Sequence, residues 1–456
     1  MRRLVKQGFP GAGGTGRRAV SRGRIGAGSA GNGWVLAVLL VERWLASGAR
    51  VDVLLEQLTA EVAPAERARA QQLFFGVVRW RGRIEAALAG LMARPPRTKV
   101  RAVLLVAGFE LIAQRTKARA AGAAPDDGPA ALVVHHAVEE AKSVCSPKEA
   151  GLVNAVARKM AGRLAVAAAE EADEFSHPEW LVARWRRLFG NEATRELMLW
   201  NLTPAPVMAR WRAEEPPPEF LLPARWEGFY ELPSGHGEDL RRLVQAGALY
   251  VQDPSTRLAI DLLAPRAGET ILDACAAPGG KSLFMADRMR TGRIVALDLP
   301  AEDDGADPRI RRLQENLSRA PAGVEIALMP ADLRRTSPRT LEEFNLPGSY
   351  DAVIVDAPCS NTGVMRHRVD VKWRLEEGDF AKHAAQQFHL LRAGARLVAD
   401  GGRLVYSTCS IDAEENDGVV QRFLREVPGW QLEQGVQAFP WLDGHDGVAA
   451  FLLRRK

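Results

Sequence analysis

Three changes of pattern along the 456 residues predict a multidomain chain. It should comprise an all-α N-terminal domain, a small α+β connecting subdomain and a C-terminal α/β domain built on a doubly wound parallel sheet. Up to about residue 172, apolar residues recur at helical spacing, as in Val35-Leu36-Val38-Leu39 and Val103-Leu104-Ala107-Leu111, with few strand-like alternations. Near Ser176-His177-Pro178-Glu179 the composition shifts, and a stretch holding Pro216-Pro217-Pro218 follows. Beyond Asp253, short apolar runs alternate with helical segments, which is the mark of βα repetition. The resulting boundaries are 1–33, 34–172, 173–250 and 251–456.

Residues 1–33 carry Arg2, Arg3, Lys6, Arg17, Arg18, Arg22 and Arg24 and no acid, among many Gly and Ser, and read as a disordered basic tail. No apolar segment follows as a secretory signal would require. The run Trp34 to Leu40 meets Glu42 and Arg43 far short of the roughly 20 apolar residues of a membrane span. The chain has 61 Lys and Arg against 56 Asp and Glu; seven of the bases lie in the tail, so 54 bases face 56 acids in the rest. With no global charge excess there, a nucleic-acid site must be a local patch.

One such patch is suggested in the 34–172 domain. Twelve Lys and Arg between Arg67 and Arg119, Arg79 and Arg81 among them, are set against Glu85 and Glu110 alone. Solvated helix faces account for the run as readily as phosphate contacts do. The connecting subdomain should open with Ser176 as a helix cap and Pro178 in the first turn. Only Cys145, Cys275, Cys359 and Cys409 occur, in neither a disulfide framework nor a metal-ligand spacing. A cytoplasmic, metal-free monomer is the expectation.

In the last domain the expected strands are Thr270-Ile271-Leu272-Asp273, Arg293 to Asp298, Val324 to Leu328, Tyr350 to Asp356 and Gly402 to Ser407. Ligands of such sheets gather at the strand C-termini. The first strand runs into Ala274-Cys275-Ala276-Ala277-Pro278-Gly279-Gly280-Lys281, a small-residue turn that opens a helix and lets a ligand approach the backbone. Asp298 ends the second strand, where a ribose-binding acid belongs, and Asp332 follows the third, within reach of an adenine amino group. These positions fit an adenosine-containing cofactor. Asp356-Ala357-Pro358-Cys359 and Ser407-Thr408-Cys409 follow the last two strands, so two cysteines converge on one cleft. A free cysteine is often only a small buried hydrophobe, and the residues alone do not rank one thiol above the other as a nucleophile.

Asp273 to Ser282, Asp356 to Gly363 and Ser407-Thr408-Cys409-Ser410 together resemble the NOL1/NOP2/Sun family of RNA cytosine-5 methyltransferases, across nearly the whole catalytic half. Phe74-Phe75-Gly76-Val77-Val78-Arg79 and Gly151-Leu152-Val153-Asn154-Ala155-Val156 resemble the NusB-type helical domain, and His177-Pro178-Glu179-Trp180 resembles its usual sequel. The resemblance implies a Rossmann-like class I methyltransferase domain with S-adenosylmethionine against Cys275 through Lys281, Asp298, Asp332 and Asp356. It further implies Cys409 as nucleophile, Cys359 as an aid to product release, and 16S ribosomal RNA as substrate.

The chemistry explains the thiol. Cytosine C5 is a poor nucleophile until a thiolate adds at C6, which makes C5 an enamine carbon. Asp356 is placed to assist at N3, and Lys281 or Lys372 could lower the thiol pKa. Lys372 is also a candidate RNA contact with Arg79 and Arg81. The sequence departs from the family at Val369, where proline is usual, at His367, where a second arginine is usual, and in an acidic insertion at 301–308. Other classes consistent with the residues are the same chemistry on tRNA or DNA, and a non-catalytic RNA-binding factor.

Overall fold

The computed structural model of the chain describes residues 32–120, 122, 128–300 and 308–455. The basic tail up to residue 31 and residues 301–307 of the insertion lie outside them. The chain divides into two compact units, one of residues up to Val77 with Leu88–Ala165, the other of Val78–Ala87 with the chain from Val166 on. The division thus falls at residue 165 rather than 172, and ten residues from the middle of the N-terminal region belong to the second unit.

The first unit is helical, as its periodicity predicts. Helices Gly33–Ser47, Val51–Leu55, Thr98–Ala120, Gly128–Val144 and Pro147–Leu164 join the flanks of Pro64–Leu88 around Leu36, Leu40, Phe74, Val103 and Met160, all fully or almost fully buried. Local chemistry sets the ends. Asn32 accepts a hydrogen bond from the Trp34 amide, and Ser146 and Glu149 form a reciprocal capping box ahead of Pro147. Gly76 is required because a Cβ there would stand 2.1 Å from the Phe109 ring.

The second unit opens with helix Glu179–Leu202, kinked at Gly190 (φ 82°). Ser176 does not cap it. It sits at φ 54°, buried, and its hydroxyl accepts from the Gly82 amide at 2.9 Å, while Pro178 takes the N-cap position. A small antiparallel sheet follows, of β1 (Met208–Trp211), β2 (Leu222–Pro223), β3 (Phe229–Glu231) and β4 (Leu249–Val251), in the order β2-β3-β1-β4.

The seven-stranded sheet contains β5 (Thr270–Asp273), β6 (Gly292–Asp298), β7 (Val324–Pro330), β8 (Tyr350–Asp356), β9 (Val398–Thr408), β10 (Trp430–Ala438) and β11 (Val448–Arg455), in the order β10-β11-β9-β8-β5-β6-β7. Strands β5 to β9 are parallel; β11 and β10 add an antiparallel edge. Successive residues point to opposite faces, so Leu272, Val353, Val355 and Leu404 pack on one layer of helices and Ile271, Ile354 and Val405 on the other. Strand order reverses between β5 and β8, which opens a crevice at their C-terminal ends. Among the described residues, no helix is long and apolar enough to cross a membrane.

Candidate active site

Five strand ends converge on a cavity of about 350 Å³. Its walls include Cys275, Ala277 and Pro278 after β5, Asp298 at the end of β6, and Asp332 beyond β7. Asp356 and Cys359 enter from β8, and Cys409 from β9. The remaining residues of the turn have other duties. Ala276 packs with Ala296, Leu313 and Leu317. Gly279 holds φ 103°, and a Cβ on Gly280 would stand 3.0 Å from the Tyr250 ring. Lys281 bonds Asp356 Oδ2 at 2.7 Å.

The two acids expected to face an adenosine are engaged. Asp298 accepts from the Ala277 amide through Oδ2 and from Arg309 Nη1 through Oδ1 at 2.6 Å. Asp332 is gripped by Arg334 at 2.7 Å, which holds its carboxyl below the ordinary range. S-adenosylmethionine fits this donor set. Carboxylates on neighbouring strand ends are acceptors that suit the hydroxyl and amino hydrogens of an adenosine, Leu299, Leu333 and Pro278 offer apolar walls, and the volume lies in the range of small-molecule sites. Arg309 was missed by the sequence reading; only its place immediately after the insertion could have signalled it.

At the other end of the cleft the sulfurs of Cys359 and Cys409 lie 3.1 Å apart, and Asn361 Oδ1 is 3.4 Å from Cys409 Sγ. A hydrogen bond donated by Cys359 lowers the Cys409 thiol below its usual value, with further help from Arg368 and Lys281 against burial and Asp356. The same contact, with burial, pushes the Cys359 thiol well up. The contact thus favours the thiolate form of Cys409 over that of Cys359.

Backbone bonds lock the two cysteine loops together. The Gly363 amide donates to Cys409 O at 3.0 Å, and a Cβ on Gly363 would meet that oxygen at 2.7 Å. Glu415, fully buried, accepts from the Ser360 amide, Gln387 Nε2 and the Ser410 hydroxyl, and so ties both loops to the helix Asp379–Ala395.

The expected RNA contacts fare differently. Lys372 is 2% exposed and donates to Arg79 O at 2.9 Å; burial pushes its ammonium well below the ordinary value. Arg79 is 8% exposed, donates to Arg366 O, and is pushed down to about 10 by burial and by Arg366. These two head groups hold protein carbonyls, which corrects their assignment to RNA, and Arg368 and Lys281, rather than Lys372, are the cations chiefly acting on Cys409. Arg81 pairs with Glu85 at 3.2 Å and lies over the Trp373 ring. Other bases of the run meet acids near them or from outside the run, including Arg69 with Glu110, Arg83 with Glu174, Arg97 with Glu149 and Lys99 with Glu42.

Comparison with known proteins agrees with this architecture. The family described as 16S rRNA methyltransferase RsmB/F matches residues 260–442, and the NusB family matches residues 35–162. Ribosomal RNA small subunit methyltransferase B of Vibrio cholerae is 30% identical over 87% of this chain and 91% of its own length. The protein so named from Erwinia tasmaniensis is 30% identical over 90% and 96%. Among solved structures, PH0851 superposes with a TM-score of 0.71 at 22% identity, covering 93% of this chain and 99% of that one. NSun6 from Pyrococcus horikoshii with SFG gives 0.51 at 19% identity, covering 61% and 98%. The chain therefore belongs to the RsmB/F family of 16S rRNA methyltransferases, enzymes that draw their methyl group from S-adenosylmethionine.

Proposed function

We propose that the protein methylates C5 of a cytosine in 16S ribosomal RNA, with Cys409 as the attacking thiolate. The observation that carries this reading is the 3.1 Å contact between Cys359 and Cys409 beside Asp356 at the mouth of the cleft. Bound S-adenosylmethionine supplies an electrophilic methyl group. The chain's own residues do the rest. The Cys409 thiolate adds to C6, and Asp356, with the Lys281 ammonium at 2.7 Å as a neighbouring proton source, assists at N3. C5 gains nucleophilic character from that addition. After methylation a base takes the C5 proton, its C–H electron pair restores the ring double bond, the C6–sulfur bond breaks, and Cys409 leaves as thiolate, with Cys359 assisting that release through its contact with the Cys409 sulfur. Both ring carbons are hidden in a base stack, so the target cytosine must be extruded or single-stranded.

Replacing the two cysteines in turn tests the assignment. Cys409→Ala should abolish methyl transfer, whereas Cys359→Ala should accumulate a covalent protein–RNA adduct, seen as a shifted band on a denaturing gel. Full turnover by Cys409→Ala would sink it. Bisulfite sequencing of 16S RNA from cells with and without the gene should show one cytosine losing protection.

A further inference from the structure

The cations around the cleft are not equivalent. Lys281 is bonded to Asp356, Arg309 to Asp298 and Arg334 to Asp332. In the run Arg366-His367-Arg368 the first two are also engaged. Arg366 donates to Thr203 O at 3.0 Å and Pro204 O at 2.9 Å and lies over the Trp200 ring, while His367 Nε2 is 3.6 Å from Asp446 and 3.9 Å from Asp253. Arg368 differs. It is exposed, it lines the cleft with Asn361, Gln386 and Cys409, and among the described residues its guanidinium has no hydrogen-bonded or ion-paired acceptor.

The buried acid that feels its charge offers no substitute. Asp446 feels the charge of Arg368, yet it is buried and burial holds its carboxyl well up, toward the neutral form. An exposed arginine aimed at a reaction centre and left without a counter-ion is a fork of donors waiting for a planar or tetrahedral oxyanion. A cytosine base is neutral, but its nucleotide brings phosphodiester groups on both sides within a few ångströms of any base held against Cys409.

We infer that Arg368 is a phosphate-binding residue that anchors the RNA backbone next to the target cytosine. The inference rests on the RNA cytosine reading above and adds the group that fixes the nucleotide's register over the thiolate. Phosphate contacts position a substrate without reading its sequence, which suits a base whose identity is checked inside the pocket. The second anion that could come here is the carboxylate of S-adenosylmethionine, and the test separates the two.

The experiment uses the full chain, with Arg368→Gln and Arg368→Lys. Binding of a 16S RNA fragment, without cofactor, is measured across a salt series, and S-adenosylmethionine binding is measured separately by calorimetry. For Arg368→Gln, RNA binding should weaken roughly tenfold, as expected for one lost charge-assisted bond. The slope of log K against log salt should fall in size by about one. Arg368→Lys should restore most of the slope, and cofactor affinity should hold within about twofold in both. An unchanged RNA slope, or a loss confined to cofactor affinity, overturns the inference. Absence of RNA methylation by the unaltered protein would instead defeat the proposed function, so the two failures are distinguishable.

Discussion

A thiolate that attacks at neutral pH needs a donor to hold its charge, and Cys409 has one in Cys359. The groups acting on Cys409 are Cys359, Arg368 and Lys281, which lower its pKa, and Asp356, which opposes them together with burial. A lowered pKa keeps the thiolate present to lower pH. Adduct formation in a single turnover should therefore fall only as pH drops below the usual thiol range, near 8.5. Removing the donor raises the pKa, so the acid limb for Cys359→Ala should move to higher pH while Cys359→Ser, which retains a hydroxyl donor, moves less. Quenched-flow capture of the adduct across pH 5 to 9 would check this; coincident limbs for all three proteins would assign the shift to the charges alone. At this scale the sequence was informative where chemistry and position coincide. Cys359, Cys409 and Asp356 could be placed at strand ends because an apolar run must stop there. Arg79 and Lys372 were misread because a cation's burial depends on which carbonyls come near it, and these two, 293 positions apart in sequence, are brought together only by the fold. Arg368 could not be singled out, since being unpaired is a property of every neighbour at once.

Loops rather than single side chains set the distance between the thiols. Glu415 lies six residues beyond Cys409, and its carboxylate collects three donors, two of them from the loops that carry the cysteines. Glu415→Ala strips the acceptor from these buried groups, each worth about 1–3 kcal/mol when left unsatisfied. The melting temperature should drop by several degrees, and the rate of adduct formation should fall by roughly tenfold or more. Cofactor affinity should hardly change, because the acids expected to face the adenosine lie across the sheet on β6 and beyond β7. Equal losses in both would show that Glu415 supports the fold as a whole. The strands themselves were legible. The central parallel strands β5, β6 and β8 are short apolar runs buried on two faces for most of their length, and their apolar runs find them. The edge strand β10 was not, since an exposed run such as Gln431 to Gly435 carries little apolar signal and takes its strand identity from the partner it pairs with, while β11, apolar and buried from Val448 to Leu453, was overlooked.

At the scale of the whole molecule, the two units are not consecutive in the chain. Helix Pro64–Leu88 is continuous, yet its residues 78–87 belong with the catalytic unit. Within that unit Trp373 Nε1 donates to Val78 O at 2.7 Å, Lys372 Nζ to Arg79 O, and the Gly82 amide to Ser176. A truncated protein starting at Val166 leaves the Trp373 indole and the Lys372 ammonium without their acceptors. It should unfold at lower temperature than the catalytic unit of the full chain, with faster amide exchange over residues 366–375. Identical exchange there would show that the segment is dispensable. The succession of a helical region and a βα region followed from composition, because each buries its apolar residues at a different period. The true division did not, because nothing in the pattern of Phe74 to Leu88 marks where one core hands the helix to another.

Two of the three crossings between the units therefore occur inside one helix, where no loop is available to be cut or lengthened. The consequence is one of inheritance. A helical domain of this kind cannot be exchanged for another RNA-binding domain by joining genes at a linker, since the recipient would acquire a catalytic unit lacking ten of its residues, nearly three helical turns. Any successful hybrid must carry residues 78–87 along with the methyltransferase, so the smallest transferable piece of this enzyme is discontinuous in sequence.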